Sequence, residues 1–271
     1  IISENLKNVL IAGGGPAGLK AAVVAAQSGH KVTLCETSNK LGGQVNLAVK
    51  LPGRNEFGGL ISNLMAELGQ LNVKVHLNTK VTRTFVEKKA PDALIIATGS
   101  IAYWPKIEGK DDAHIVDSNQ VLLEKVNPGG RVLIADWRCD WVGMGIAEKL
   151  ALTGRHVRLA VNGIQAGMEL QPYQRDHLIG KLHRAGVEII PYARLFGVDE
   201  DTAYLIHTVT HDPILCEEVD TVVLAYGTSA DTQLENELVG LNIKTHLAGD
   251  CLSPRTAEEA ILEGMQAAFS I

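Results

Sequence analysis

The chain has 271 residues, 46% of them hydrophobic and 21% charged, with a net charge of −6 and 27 glycines. That composition supports a buried core rather than a disordered chain, and an acidic balance without a basic block argues against a nucleic-acid partner. No stretch is long, apolar and uncharged enough for a membrane span or a signal peptide. The four cysteines, at 35, 139, 216 and 251, form no CxxC pair. They point away from a dithiol, iron–sulfur or zinc centre within this chain and fit a reducing, cytoplasmic compartment. The sequence begins Ile1-Ile2-Ser3, without methionine, so a fragment or processed product of a longer protein is expected.

The first segment runs Asn8-Val-Leu-Ile-Ala-Gly-Gly-Gly-Pro-Ala-Gly18. A short apolar run meets a glycine cluster, and a small-residue helical pattern follows to Gly29. His30 to Glu36 then reads as a second strand, completing a βαβ unit. Glycines at 13, 15 and 18 open the helix, and Glu36 stands 18 residues beyond the third of them. Each glycine answers a separate physical need. Gly13 makes the tight turn, Gly15 lets backbone approach a pyrophosphate, and Gly18 lets helix and strand pack closely. The helix N-terminus offers unpaired amides and a positive dipole end. Glu36 can accept hydrogen bonds from a ribose diol and disfavours a 2′-phosphate.

The same phrase restarts at Arg131-Val-Leu-Ile-Ala135, followed by a helical pattern through Gly154 and a strand from His156 to Val161. Both units also end alike. Asp92-Ala-Leu-Ile-Ile-Ala-Thr-Gly99 and Asp220-Thr-Val-Val-Leu-Ala-Tyr-Gly227 share their spacing residue for residue. The chain therefore reads as two related α/β domains. The remaining segment holds a strand around Thr245 to Ala248, then Gly249-Asp250, then a helix whose Thr256 and Glu259 have capping-box spacing. Too short for a third domain, it belongs with the first. The expected layout is a first domain of residues 1–115 plus 228–271, with a second domain, 116–227, inserted in it.

With Lys40-Leu-Gly-Gly-Gln44 added, the sequence resembles the two-dinucleotide-domain flavoproteins, which include the thioredoxin and glutathione reductases. The residues that carry the resemblance are Gly13, Gly15, Pro16, Ala17 and Gly18, then Glu36, Gly42-Gly43-Gln44, Ala97-Thr98-Gly99 and Gly249-Asp250, in order along nearly the whole chain. It implies two Rossmann-like domains, parallel sheets with flanking helices, and FAD in the first. On that resemblance Glu36 binds the adenosine ribose, Lys40 lies near the adenosine–pyrophosphate half, and Val81 meets the adenine by its backbone. Asp250 holds the ribitol or pyrophosphate, and Thr256 and Ala257 present a helix N-terminus to the flavin ring.

The matching second loop has lost that pattern. Ala135-Asp-Trp-Arg-Cys-Asp-Trp-Val-Gly143 keeps only its final glycine. Side chains at 136–138 are expected to crowd a pyrophosphate. A carboxylate about 4 Å from a phosphate costs roughly 4 kcal/mol at an effective dielectric near 20, so NAD(P)H is disfavoured here. Trp137 and Trp141 read as packing residues. Cys139 beside Arg138 has two readings, a lowered pKa or a plain thiol, and the second is preferred.

This loss resembles the iron–sulfur flavoproteins related to trimethylamine dehydrogenase, histamine dehydrogenase, dienoyl-CoA reductase and the dimethylglycine- and methylproline-type N-demethylases. The stretches Asp136-Trp137…Asp140-Trp141, Ala147-Glu148-Lys149-Leu150 and Ala160-Val-Asn-Gly163 look most like the demethylase branch. The resemblance implies a partner portion or subunit, an FMN-bearing barrel with a 4Fe-4S cluster, that holds the substrate-oxidising residues, and an electron acceptor protein. Three functions follow as expectations. The first is an FAD-binding electron-transfer module; the second is a redox-silent module with ADP in the same site; the third is a free-standing NADH-dependent flavin reductase. His207 and His211 sit on an alternating, strand-like stretch, where they would be about 13 Å apart, so no metal is assigned to them.

Overall fold

A computed structural model describes residues 4–111 and 113–271. The Ile1-Ile2-Ser3 start lies outside the described residues. The chain divides into two compact units, one of residues 1–49, 55–101 and 228–271, the other of 50–54 and 102–227.

In the first unit the apolar run becomes the strand Asn8–Ala12, the middle of a five-stranded parallel sheet. The sheet order is Lys244–Leu247, Ala93–Ile96, Asn8–Ala12, Lys31–Cys35, Lys74–His76. Alternation along the central strand feeds two cores. Val9 and Ile11 pack under the helices Pro16–Gln27, Gly58–Gly69 and Ala257–Phe269, joined by Ala21, Ile61, Leu64, Ala260 and Ala268. Leu10 and Ala12 face the other way, onto Val81, Val86, Leu234 and Leu238. The result is a three-layer α/β arrangement whose glycine loop leaves the carboxyl end of the central strand, where open parallel sheets bind ligands.

Two helices of that unit approach unusually closely. A methyl added at Gly264 would stand 2.2 Å from the Ala17 carbonyl oxygen, so only glycine lets Ala257–Phe269 lie against Pro16–Gln27 at this depth. The later helix begins at Thr256 with the capping box that its spacing predicts: Thr256 Oγ1 accepts from the Glu258 amide, and Glu259 Oε2 accepts from the Thr256 amide at 3.1 Å.

The second unit repeats the plan with a parallel sheet ordered Ile115–Asp117, Thr221–Ala225, Arg131–Asp136, His156–Val161, Glu188–Ile190. One face carries the helix Trp141–Ala151. The other is covered by a three-stranded antiparallel sheet, Ala193–Asp199, Thr202–His207 and Pro213–Cys216, through Leu195, Val198, Ala203 and Leu205 against Leu133, Ala135, Val222 and Leu224. The reading of one strand through His207 and His211 is corrected here. The strand ends at His207, whose Nδ1 accepts from the Thr210 amide, and the chain turns before His211. The segment 50–54 also belongs to this unit. Leu51 packs on Gly145, and the Arg54 guanidinium lies 3.9 Å over the Trp141 ring.

No helix among the described residues is long and apolar enough to cross a membrane, and these residues contain no metal-binding cluster of His, Cys, Asp or Glu.

Candidate nucleotide site

The site grows from one tight turn. Gly13 has φ +113°, and a Cβ there would fall 2.1 Å from the Ala97 carbonyl oxygen. Ala97, Thr98 and Gly99 follow the neighbouring strand, so the two sequence motifs meet at the first glycine. Gly18 packs directly on this turn. Gly15 differs: a Cβ there would meet only Gly43 Cα, at 3.9 Å. It is the N-cap of the helix Pro16–Gln27 and provides no side-chain cap. The helix therefore presents its first amides to open space, and Pro16 at the start removes one donor that would otherwise be orphaned.

Glu36 lies beside that terminus, 9% exposed. Its Oε2 accepts from the Gly14 amide at 2.7 Å, and its Oε1 from the Ser38 amide at 2.7 Å and the Thr37 hydroxyl at 3.1 Å. Burial pushes the carboxyl upward, but the Ser38 and Gly14 amides outweigh it and hold the pKa below the usual value of 4.5. Glu36 is thus a fixed, ionised acceptor at one edge of the cradle. The Gly42 amide donates to the Gly14 carbonyl at 2.8 Å, which seats the Lys40–Gln44 loop on the same turn. Lys40 is exposed, and its carbonyl accepts from the Ser38 hydroxyl. Val81 is buried in the core cluster beneath the sheet's other face.

The opposite edge is a polar cluster drawn from three segments. Gln44 Nε2 donates to Ser100 Oγ at 2.7 Å and to Asp250 Oδ2 at 2.9 Å, and Ser100 Oγ donates to the same Asp250 oxygen at 2.9 Å. Gly249 brings Asp250 in, because a Cβ there would stand 2.9 Å from the Ala17 Cβ. Sequence reasoning missed Ser100. It directly follows Ala97-Thr98-Gly99, and a hydroxyl just past a strand-closing glycine was the available signal. Thr98 Oγ1 donates to the Asp231 carbonyl at 3.1 Å. Thr256 and Ala257 begin the later helix, where Thr256 is engaged in the capping box.

The second loop is built otherwise. Its helix, Trp141–Ala151, is capped by its own Asp140, which accepts from the Val142 amide at 2.8 Å. Trp137 stacks on Tyr226 with ring centroids 6.0 Å apart, and Arg138 lies along Gly227 and pairs with Asp140 at 3.4 Å. The expectation that side chains at 136–138 crowd a pyrophosphate is corrected for Asp136, while Trp137 and Arg138 remain exposed. Asp136 turns inward and is 1% exposed, because Gly143 leaves room for its carboxyl. Cys139 is a plain buried thiol. Burial, then Asp136, push it up to about 11.

Two parallel-sheet units, one with an open glycine cradle, define a dinucleotide-binding oxidoreductase architecture. The chain belongs to the pyridine nucleotide-disulphide oxidoreductase family, whose model matches residues 7–264. It is 34% identical over 167 residues to the N,N-dimethylglycine/sarcosine dehydrogenase of Chromohalobacter salexigens, a match covering 59% of this chain and 24% of that protein. It is 29% identical to the bilirubin reductase of Mediterraneibacter gnavus over 98% of this chain and 41% of the relative. The solved structure of a 2-naphthoyl-CoA reductase complex superimposes with a TM-score of 0.91 at 29% identity, covering all of this chain and 40% of that one. The chain thus spans about two-fifths or less of the length of these relatives.

Proposed function

We propose that this chain is the FAD-binding, electron-transfer portion of an iron–sulfur flavoprotein of the amine dehydrogenase or N-demethylase type. The observation that carries the reading is the uncapped N-terminus of Pro16–Gln27, open at Gly15 and flanked by an ionised, buried Glu36. That donor set fits a dinucleotide: amides and a helix dipole for a pyrophosphate, a fixed carboxylate for a ribose diol. FAD supplies a redox-active isoalloxazine when bound. On this reading Gly13, Gly15, Pro16, Ala17, Gly18 and Gly43 shape the pyrophosphate cradle, and Glu36, Lys40 and Val81 attend the adenosine half. Gln44, Asp250 and Gly249 serve the polyol arm. Ala97, Thr98, Gly99, Thr256 and Ala257 border the ring. The match to longer relatives supports a further portion or partner beyond this chain. On the resemblance drawn from the sequence, that portion would be an FMN-bearing barrel with a 4Fe-4S cluster and the substrate site, with an electron acceptor protein beyond.

A second reading, ADP alone in a redox-silent module, is favoured by two commitments. The amide of Glu258 in the first turn of Ala257–Phe269 donates to Thr256, and the Thr98 hydroxyl donates to Asp231. Both groups are spent within the protein on the side where a flavin ring would lie. A near-ultraviolet and visible spectrum of the purified protein, with mass identification of the nucleotide released on denaturation, decides. Flavin bands and an FAD mass establish the electron carrier. A colourless protein releasing ADP establishes the structural module. Bleaching of bound flavin by NADH would favour a free-standing reductase instead.

A further inference from the structure

Asp136 ends the central strand of the second unit, in register with Val161 and Ala225 on the strands beside it. Its Oδ1 accepts from the Cys139 amide at 2.8 Å, and the Arg138 amide also donates to the carboxyl. Its Oδ2 is buried without a hydrogen-bond partner. That oxygen lies against Gly143, where a Cβ would stand only 2.3 Å from it. A charged oxygen in such a place is costly, because no donor replaces the water it has lost.

The groups facing this carboxyl come from four directions. From its own loop come Arg138, Cys139 and Asp140; from beyond the strand Thr221–Ala225 comes the Tyr226 phenol; from the strand His156–Val161 the neighbour is the uncharged Val161; and from the helix Trp141–Ala151 the neighbour is the uncharged Gly143. Burial first, and the Asp140 carboxylate second, raise Asp136 to about 7, against the loop amides and Arg138. Cys139 and Tyr226 are pushed to about 11 and about 12, so neither changes charge near neutrality.

The loop above is tied down from several sides: the Trp137 amide donates to the Ala225 carbonyl at 3.3 Å, the Glu169 amide to the Cys139 carbonyl at 3.2 Å, and Trp137 stacks on Tyr226. Cys139 adopts φ +51°, a conformation a non-glycine residue keeps only under constraint. Its thiol donates to Asn162 Oδ1 at 3.0 Å, and Asn162 Nδ2 donates to the Trp137 carbonyl at 2.9 Å. We propose that Asp136 is a proton-dependent latch: its protonated carboxyl fastens the Trp137–Asp140 loop over the start of the helix Trp141–Ala151, and opening of that loop releases the proton. The device is independent of which nucleotide the first unit holds.

The sign follows from the two protonation states. In the closed loop the carboxyl titrates near 7, and in an open, hydrated loop near its ordinary 3.8. Between those values opening releases a proton, so the opening constant rises about tenfold per pH unit and levels off above about pH 7. Hydrogen exchange of the 137–143 amides, divided by their intrinsic rates, measures this from about pH 5 to about pH 8. The expected wild-type result is protection falling by up to about tenfold per unit and then flattening, while the amides of the strand Asn8–Ala12 hold constant. D136N, which keeps the neutral shape, is expected to give a flat profile. A flat wild-type profile, or an unchanged slope in D136N, overturns the latch. The wild-type profile decides alone if D136N does not fold.

Discussion

Gly18 is seated on Gly13: a methyl group on Gly18 would fall 1.9 Å from the Gly13 carbonyl oxygen. Backbone, not a flexible side chain, is what it would strike, so neither partner can yield without moving the turn. Gly18→Ala is therefore expected to destabilise the protein by about 1–3 kcal/mol, the usual range for forced overpacking. Gly15→Ala makes the contrast. Its Cβ has room in the folded protein, at 3.9 Å from Gly43 Cα, yet it would intrude where a phosphate approaches. Chemical denaturation of G15A should match the wild type while nucleotide affinity, measured by calorimetry, collapses. Equal loss of stability in both variants would refute the division of roles.

Glu36→Gln removes an ionised acceptor and should weaken nucleotide binding by about 10- to 100-fold, as for a hydrogen bond to a charged group. The carboxyl is held below 4.5 by its amide donors, so the stability it contributes is present above that value and lost as pH falls through the folded one. Acid unfolding followed by circular dichroism should show a shallower loss of stability in E36Q than in the wild type. An identical acid limb in both would sink this assignment.

Ser100→Ala removes one of the two donors that hold Asp250 Oδ2. If the Gln44–Ser100–Asp250 cluster attends the polyol arm, FAD affinity should drop by about three- to tenfold, while ADP affinity stays unchanged because ADP lacks that arm. Parallel titrations of the apoprotein with the two nucleotides test it. A matching loss for ADP would put the cluster at the pyrophosphate instead.

Thr256→Ala deletes the cap of the helix Ala257–Phe269. The expected cost is about 1 kcal/mol, read as a lower denaturant midpoint with an unchanged slope. A larger loss accompanied by loss of bound flavin would show that the cap also serves the ring.

Much of the fold is legible in the residues alone. Its class follows from the doubled strand–helix–strand phrase, because period and glycine placement are local signals, and Gly13, Gly18 and the Thr256–Glu259 box behave as their spacing implies. Ser100 escapes a reading of the sequence because its role depends on Gln44 and Asp250, which are distant along the chain and are brought together only by the fold. The direction of Asp136 escapes for a related reason. A carboxylate in a loop reads as solvated, and only the absent side chain of Gly143 opens the space that buries it. The turn after His207 is hidden by an apolar–polar alternation that runs on through Thr210, where a strand and a turn look alike.

The depth at which Gly264 lies on Ala17 also sets an order of events. The helix that carries the glycine cradle is covered by a helix encoded far downstream, and all of 102–227 is synthesised between them. As the chain leaves the ribosome, nearly every residue of the second unit is available while the first still lacks its covering helix. The older helix must wait without the cover that Gly264 brings onto Ala17, and apolar surface left open in this way invites chaperones or mispairing with other nascent chains. A ribosome stalled before Ala257 would release a finished second unit tethered to an unfinished first, so losses of this helix should show in the cell as aggregation before they show as lost chemistry.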